Sequence, residues 1–262
     1  MADSAGSKEK LGYLGLGLMG LPMTKRLLGA GFDVAVWNRS PGKVNALVEA
    51  GAKAAASPRD VVAHASIIFM CLTDASAVEE VVFGDNGLSG TDGNGKLVVD
   101  FSSIHPDKTK SIAARLKAAN GMGWIDAPVS GGTKGAEEAT LAIMAGGEAA
   151  DVERIRPYIL AMARNFTHMG PTGAGQMTKL CNQVIVGCAI RGTNNCRGIE
   201  SAKPPASASG RRLASMPAFT ASRVASASTA MAQPTITWLQ SLVICPAPVG
   251  PICVKLRAIA RI

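Results

Sequence analysis

The sequence lacks any run of about 20 apolar residues, and a membrane-spanning helix is therefore not expected. Its six cysteines are scattered without a C-x-x-C pair, so we interpret them as reduced thiols of a cytoplasmic protein. The three histidines are widely separated, and no cluster of metal ligands is visible in the sequence. These absences argue against a membrane protein, a disulfide-rich secreted domain and a metal centre.

Acidic residues are almost missing from the last quarter of the chain. Residues 191–262 contain nine Lys and Arg but a single acid, Glu200, whereas residues 1–190 contain 18 basic and 18 acidic residues. The formal net charge of +8 therefore belongs to the last quarter alone. A basic surface distributed over the whole protein, as nucleic-acid binding would favour, is not indicated.

The composition of this last quarter is also unusual. Residues 201–262 contain 13 Ala, eight Ser and seven Pro, and the prolines interrupt most helical windows. We interpret residues 191–262 as an atypical tail that folds poorly. It resembles a GC-rich reading frame translated out of register, and a divergent or disordered natural tail is the alternative.

Short apolar segments alternate with helical segments through most of the remaining chain. Strands are predicted at 11–16, 33–37, 66–71, 97–101 and 140–145, and helices at 19–31, 41–50, 75–83, 106–119 and 150–163. This alternation predicts an α/β fold, a Rossmann-type doubly wound parallel sheet over residues 11–170 after a disordered N-terminus at 1–10. Pro-Thr-Gly then precedes an apolar-rich helix, so residues 173–190 are predicted to begin a second, helical domain that is truncated or aberrant.

A glycine-rich loop follows the first predicted strand. The segment Gly15-Leu16-Gly17-Leu18-Met19-Gly20 has the form G-x-G-x-x-G, and it precedes a predicted helix and a second predicted strand. In this context the first glycine permits a tight turn, the second lets the backbone approach a pyrophosphate, and the third lets helix and strand pack closely. The helix N-terminus then offers N–H groups to phosphate.

The residues after the second predicted strand indicate which dinucleotide binds. An acid at this place would bind the ribose 2′-hydroxyl of NAD, but the sequence has Asn38-Arg39-Ser40. A guanidinium can pair with a 2′-phosphate and stack on adenine. The expected cofactor is therefore NADP, with NAD as the alternative.

Three separated blocks resemble the β-hydroxyacid dehydrogenase family, which includes 3-hydroxyisobutyrate dehydrogenases, tartronate semialdehyde (2-hydroxy-3-oxopropionate) reductases and glyoxylate/succinic semialdehyde reductases. The blocks are GLGLMGLPM at 15–23 with WNRS at 37–40, DAPVSGGTKGAEEATLAIMAGG at 126–147, and GAGQMTKLCNQ at 173–183. The resemblance covers about residues 10–190. The family's late lysine that contacts the cofactor, usually followed by Asp, has no match here.

The resemblance implies where the substrate and the nicotinamide bind. The turn Ser130-Gly131-Gly132 would hold the substrate carboxylate, and such a turn can present side-chain and backbone donors to an anion. Ser103 matches a family position near the nicotinamide and is expected to contact both substrate and cofactor. Leu72 and Thr73 match the cofactor loop that follows the third predicted strand.

The third block carries the residues implied to be catalytic. Lys179 matches the family lysine that donates a proton to the alkoxide and accepts one in the reverse direction. Asn182 lies three residues on, hence on the same helix face, and matches the asparagine that hydrogen-bonds the substrate. Gln183 departs from the second asparagine that family members often have.

The expected function is interconversion of a small β-hydroxyacid and its semialdehyde by an NADP-dependent oxidoreductase. The alternative is a dinucleotide-binding module with little turnover, because the second domain is defective. An imine reductase of related fold is a third hypothesis, although such enzymes usually lack the lysine. The expected partner is a small-molecule substrate, with neither nucleic acid nor membrane, and a homo-oligomer is possible if the second domain folds.

Overall fold

Strands and helices alternate along the chain as the sequence predicts. The computed structural model describes the backbone of residues 9–200 and the side chains of residues 9–187. Residues 1–8 and most of the predicted tail, 201–262, lie outside the described residues. Within residues 9–200, none of the helices combines the length and apolar character that crossing a membrane requires.

Nine strands and eight α-helices are present within residues 9–200. The strands β1 to β9 are Leu11–Leu14, Val34–Trp37, Lys53–Ala54, Ile67–Met70, Leu97–Asp100, Gly123–Asp126, Val129–Ser130, Leu141–Gly146 and Ala163–Gly170. The helices α1 to α8 are Gly20–Gly29, Asn45–Val48, Pro58–His64, Ala75–Phe83, Pro106–Asn120, Gly132–Glu137, Ala149–Ile159 and Ala174–Glu200. Two short 3₁₀ helices are Pro41–Lys43 and Leu88–Gly90.

The strands form one mostly parallel sheet in the order β3-β2-β1-β4-β5-β6-β8-β7, with β9 paired to β8. The pairs from β3 to β6 and the β8–β9 pair are parallel, whereas β8 runs antiparallel to β6 and β7. The predicted doubly wound α/β fold is thus confirmed. The strand order reverses between β1 and β4, and ligands of open α/β sheets bind in the crevice at such a switch point.

The two faces of the sheet are covered by two separate apolar clusters. Along β4, Ile67 and Phe69 belong to one cluster, and Ile68 and Met70 belong to the other, with every one of these side chains fully buried. A strand buried on both faces needs apolar residues at every position, which is why the sequence showed continuous apolar segments rather than alternation.

Several elements differ from the sequence prediction. The predicted helix at 41–50 is a 3₁₀ turn followed by one short α-helix, and the helix expected to extend to 163 ends at Ile159 because Ala163 begins β9. β9 itself was missed because its residues are mostly polar and partly exposed, so it has no apolar run. Glu9, expected in a disordered N-terminus, pairs with Arg154 on α7.

The apolar-rich helix that was predicted after Pro-Thr-Gly is α8, which extends to Glu200. A first compact unit ends at Asn182, within this helix. The described part of the second unit, which begins at Gln183, is the remainder of α8. The division at 173 and the nature of the tail stay predictions.

Candidate active site

The glycine loop between β1 and α1 contains two glycines that the fold itself requires. Gly15 has φ +88°, and a side chain there would collide with the Cys71 carbonyl and lie 2.7 Å from Leu72 Cδ2. A Cβ at Gly20 would overlap the Gly15 carbonyl oxygen. Gly15 and Gly20 are therefore needed for the tight turn and for close helix packing, as predicted.

Gly17 is different, because a Cβ there would meet no atom of the described residues within 4 Å. Packing within the protein therefore does not explain why this position is glycine. The open space belongs to a cavity of about 810 Å³ that Gly15 and Gly17 both line. Close approach of a ligand to the backbone is the physical reason that accounts for a glycine here, so the loop fits a dinucleotide.

Most of the residues predicted to bind the cofactor share this cavity. Nine of the twelve line it: Gly15, Gly17, Leu18, Met19, Asn38, Arg39, Ser40, Leu72 and Thr73. The side chain of Leu16 is instead buried in the core, Gly20 packs against Gly15, and Ser103 is exposed just beyond β5.

The loops after β1 and β2 are joined by Asn38. Its Oδ1 accepts a hydrogen bond from the Leu16 N–H at 2.9 Å, and its Nδ2 donates to the Ser40 carbonyl at 2.8 Å. Asn38 therefore holds the glycine loop against the segment that carries Arg39. Asn38 was predicted to bind the cofactor, and in this structure its amide binds the protein backbone at both ends.

Arg39 is exposed at the cavity, and two charged neighbours were not singled out from the sequence. Lys43, at the end of the 3₁₀ helix, lines the same cavity and adds a second cation. Asp74 accepts hydrogen bonds from the Ala77 N–H and the Thr73 hydroxyl, which together with the charge of Arg39 lower the pKa of Asp74. Lys43 could have been predicted from the sequence, because it is a second cation only four residues after Arg39.

The loops after β4 and β5 are joined by Ser102. Its Oγ accepts a hydrogen bond from the Leu72 N–H at 2.9 Å, and its own N–H donates to Asp100 Oδ1 at 2.9 Å. Ser102 is buried, whereas the predicted contact residue Ser103 is exposed beside it. Ser102 thus fixes the conformation of the loop that contains Leu72 and Thr73.

Lys179 lies beside the segment predicted to bind the substrate. Its Nζ donates a hydrogen bond to the Val129 carbonyl at 2.7 Å, and Val129 immediately precedes Ser130. The lysine is partly buried, and this burial lowers its pKa. Asn182, one turn further along α8, is 6% exposed.

The turn after β7 has backbone conformations that favour glycine. Gly131 has φ +129° and Gly132 has φ +62° at the start of α6. A side chain at Gly131 would in addition lie 3.1 Å from Leu141 Cδ2. Ser130, Gly131 and Gly132 therefore form a turn whose shape depends on the two glycines, close in the chain to the carbonyl that Lys179 contacts.

Two buried carboxyl groups that were not predicted as site residues lie at the ends of neighbouring strands. Asp100 and Asp126 are paired in register on β5 and β6, and both are fully buried. Burial raises the pKa of Asp100 to about 7 and that of Asp126 to about 6, and the charge of Asp126 contributes to the shift of Asp100. Near neutral pH, Asp126 therefore carries the charge and Asp100 takes up a proton more readily.

The raised pKa of Asp100 predicts how stability depends on pH. The native state holds a proton on this group at pH values where the unfolded chain, with a pKa near 3.8, has lost it. The free energy of unfolding therefore falls as pH rises from about 4 to about 7, by a contribution on the order of a few kcal/mol. Asp100→Asn, which is neutral at every pH, should be more stable than the unmodified protein at pH 8 and nearly equal to it at pH 4.5.

Urea unfolding of both proteins at pH 4.5 and 8 measures this difference. Glu49→Gln, which removes an exposed carboxylate, is the matched control and should change stability little at either pH. A difference between Asp100→Asn and the unmodified protein that is the same at both pH values would contradict the assignment of the proton to Asp100.

Comparison with known proteins agrees with this geometry. Residues 10–170 match the family described as the NAD binding domain of 6-phosphogluconate dehydrogenase. The chain is 39% identical over 215 residues to 2-hydroxy-3-oxopropionate reductase of Escherichia coli, covering 82% of this chain and 73% of the reductase. It is 40% identical over 185 residues to NAD-dependent L-serine dehydrogenase of Pseudomonas aeruginosa. This match covers 71% of this chain and 62% of the serine dehydrogenase.

The chain is also similar to a solved structure of a dehydrogenase. The Mycobacterium tuberculosis 3-hydroxyisobutyrate dehydrogenase with L-serine matches with a TM-score of 0.63 and 34% identity, covering 68% of this chain and 60% of that one. The chain thus spans less than two thirds of the length of the serine dehydrogenase and of this solved dehydrogenase. It belongs to the β-hydroxyacid dehydrogenase family, and residues 10–170 are its NAD(P)-binding domain, which confirms the predicted resemblance.

Proposed function

We propose that this protein interconverts a small β-hydroxyacid and its semialdehyde, with NADP as the cofactor and Lys179 as the proton donor and acceptor. The observation that carries the proposal is the contact between Lys179 Nζ and the Val129 carbonyl, at 2.7 Å. It brings an ionisable amine next to the turn Ser130-Gly131-Gly132 in a protein whose glycine loop fits a dinucleotide.

Lys179 would act on the carbonyl oxygen of the substrate. A reduced nicotinamide supplies a hydride to the carbonyl carbon when it is bound. The Lys179 ammonium donates its proton to the oxygen, which leaves a hydroxyl group and a neutral amine that solvent protonates again. In the reverse direction the neutral amine accepts the hydroxyl proton, and the lowered pKa of Lys179 raises the fraction of amine available near neutral pH.

The turn at 130–132 and Asn182 would hold the substrate in place. The Ser130 hydroxyl and the backbone N–H groups of the turn can donate hydrogen bonds to a carboxylate. Asn182 lies on the same face of α8 as Lys179 and can hydrogen-bond the substrate hydroxyl or carbonyl. A carboxylate held at the turn would leave the other end of a three- or four-carbon acid facing Lys179.

The proposed substrate class is based on the activities of three relatives. The relatives are a 2-hydroxy-3-oxopropionate reductase, an L-serine dehydrogenase and a 3-hydroxyisobutyrate dehydrogenase. Absorbance at 340 nm should show NADPH oxidation with 2-hydroxy-3-oxopropionate, or NADP reduction with L-serine or 3-hydroxyisobutyrate. NADPH binding without turnover on any of the three would favour the alternative, a dinucleotide-binding module with little activity.

Arg39 is proposed to select NADP over NAD. A charge-assisted hydrogen bond is worth about 1.5–3 kcal/mol, so NADPH should bind roughly tenfold or more tightly than NADH. Arg39→Asp should reverse the preference, because a carboxylate repels the 2′-phosphate and accepts hydrogen bonds from the ribose hydroxyls. Fluorescence titration of each protein with both cofactors gives the two dissociation constants.

The control for this test is Arg26→Asp, which makes the same charge change at an exposed position on α1 outside the 810 Å³ cavity. Its preference for NADPH should equal that of the unmodified protein. Equal dissociation constants for NADPH and NADH in the unmodified protein would refute the role of Arg39.

A further inference from the structure

The N-terminus of α8 is anchored by a single buried carboxylate. Asp126 Oδ1 accepts a hydrogen bond from the Gly173 N–H at 2.6 Å, and its Oδ2 accepts one from the Gln176 N–H at 2.8 Å. The first N–H groups of a helix have no partners within the helix, and a negative charge there is favourable. Asp126 lies at the end of β6, so it ties α8 to the sheet.

Close backbone packing adds to this anchor. A Cβ at Gly175 would overlap the Met144 carbonyl and would lie 2.6 Å from the Asp126 carbonyl oxygen. The first turn of α8 therefore rests directly on the ends of β6 and β8. A helix held this closely has little freedom to slide along its axis.

Gln176 fixes the rotation of the helix about its axis. Its side chain is 2% exposed, its Nε2 donates to the Ser102 carbonyl at 2.6 Å, and its Oε1 accepts from the Ile104 N–H at 3.2 Å. Both ends of the amide are thus bound to the loop after β5. Lys179 follows three residues later, on the same helix face, so the orientation of Gln176 sets the direction of Lys179.

The same hydrogen bonds connect α8 to the cofactor cavity. Ser102, whose carbonyl binds Gln176, also accepts a hydrogen bond from the N–H of Leu72, which lines the cavity. An unbroken series of contacts therefore links the loop after β4, the loop after β5 and the helix that carries Lys179. Lys179 Nζ in turn contacts the carbonyl of Val129, which follows Asp126 by only three residues.

We propose that Asp126 and Gln176 are positioning residues that hold α8 in register with the loops at the sheet edge, so that the Lys179 amine lies against the Val129 carbonyl. The catalytic meaning of this placement rests on the proposed function, but the placement itself does not. Asp126 takes no part in proton transfer to the substrate. It acts through the helix that it anchors.

Two variants test separately the contact of Asp126 with the start of α8 and the contact of Gln176 with the loop after β5. Asp126→Asn removes the charge and turns one acceptor oxygen into an NH₂ donor that faces a backbone N–H. Gln176→Met has a similar length and removes both hydrogen bonds to the loop after β5. Thr109→Val is the control, because it removes a fully buried hydroxyl that accepts a hydrogen bond from Trp124 Nε1 and takes no part in the contacts between α8 and the loop after β5.

The measurement is the pKa of the Lys179 amine in the full chain without cofactor. Reductive methylation with ¹³C-formaldehyde labels lysine amines for NMR, and Lys179→Arg assigns the Lys179 signal. In the unmodified protein and in Thr109→Val this pKa should lie below those of the exposed lysines. In Asp126→Asn and Gln176→Met it should shift upward toward them, because the amine leaves its partly buried place.

Titration with NADPH shows that each variant keeps its folded α/β domain, with a dissociation constant within about twofold of the unmodified protein. If Asp126→Asn fails this check, Gln176→Met carries the test alone. A Lys179 pKa that stays low in every folded variant overturns the proposal. Because the titration needs no turnover, absence of dehydrogenase activity would count against the proposed function and leave this result standing.

Discussion

Replacement of Lys179 by alanine should lower the turnover number by about 10²–10⁴-fold while leaving the affinity for NADPH nearly unchanged. In the proposed function the Lys179 side chain acts on the reacting oxygen, whereas the 810 Å³ cavity is lined by other residues, among them Gly17 and Arg39. Alanine is helix-compatible, so α8 should remain intact. Single-turnover NADPH oxidation, with the best of the three substrates named above, measures the loss of the reaction rate directly.

Two further lysine substitutions make the result specific. Lys179→Arg keeps the positive charge but cannot release a proton near neutral pH, so it should be nearly as inactive as the alanine variant. Lys117→Ala removes an exposed lysine from α5 and should keep full activity. If Lys179→Ala keeps most of its activity, the role transferred from the family is wrong at this position.

Five strands, β1, β2, β4, β5 and β8, could be predicted from the sequence because their residues are mostly apolar and buried. Continuous apolar segments such as that of β4 reveal such strands, and the glycine loop is local in the chain. The other four, β3, β6, β7 and β9, were missed, and β3 and β7 have only two residues each. β6 has four residues and begins with Gly123, and β9 has partly exposed polar residues, so neither shows a clear apolar pattern.

The residues of the candidate site could likewise be predicted only in part. Motifs within one segment, such as the glycine loop, were found because their chemistry depends on residues adjacent in sequence. The contacts that orient Lys179 join residues 50 and 74 positions apart, Asp126 with Gln176 and Ser102 with Gln176. Nothing in the spacing of these residues distinguishes a buried anchor from an ordinary polar side chain, and only the fold brings them together.

Substitution of Gly17 by valine should weaken NADPH binding by about 100-fold or more without lowering the melting temperature. A Cβ at this position lies more than 4 Å from every atom of the part of the chain that the structure describes, so the apoprotein should accommodate the side chain. The same side chain would occupy the space through which the pyrophosphate approaches the backbone. Loss of two charge-assisted hydrogen bonds to phosphate, at about 1.5–3 kcal/mol each, corresponds to at least a 100-fold weaker complex.

Gly20→Val provides the contrast, because its Cβ would overlap the Gly15 carbonyl oxygen inside the protein. Overpacking of this kind typically costs about 1–3 kcal/mol, so Gly20→Val should lower the melting temperature by several degrees even without ligand. Thermal unfolding and NADPH titration of both variants therefore separate a glycine needed for packing from one needed for the ligand. Unchanged NADPH affinity in Gly17→Val would show that the pyrophosphate does not lie over this loop, and the assignment of the cavity to the cofactor would then fail.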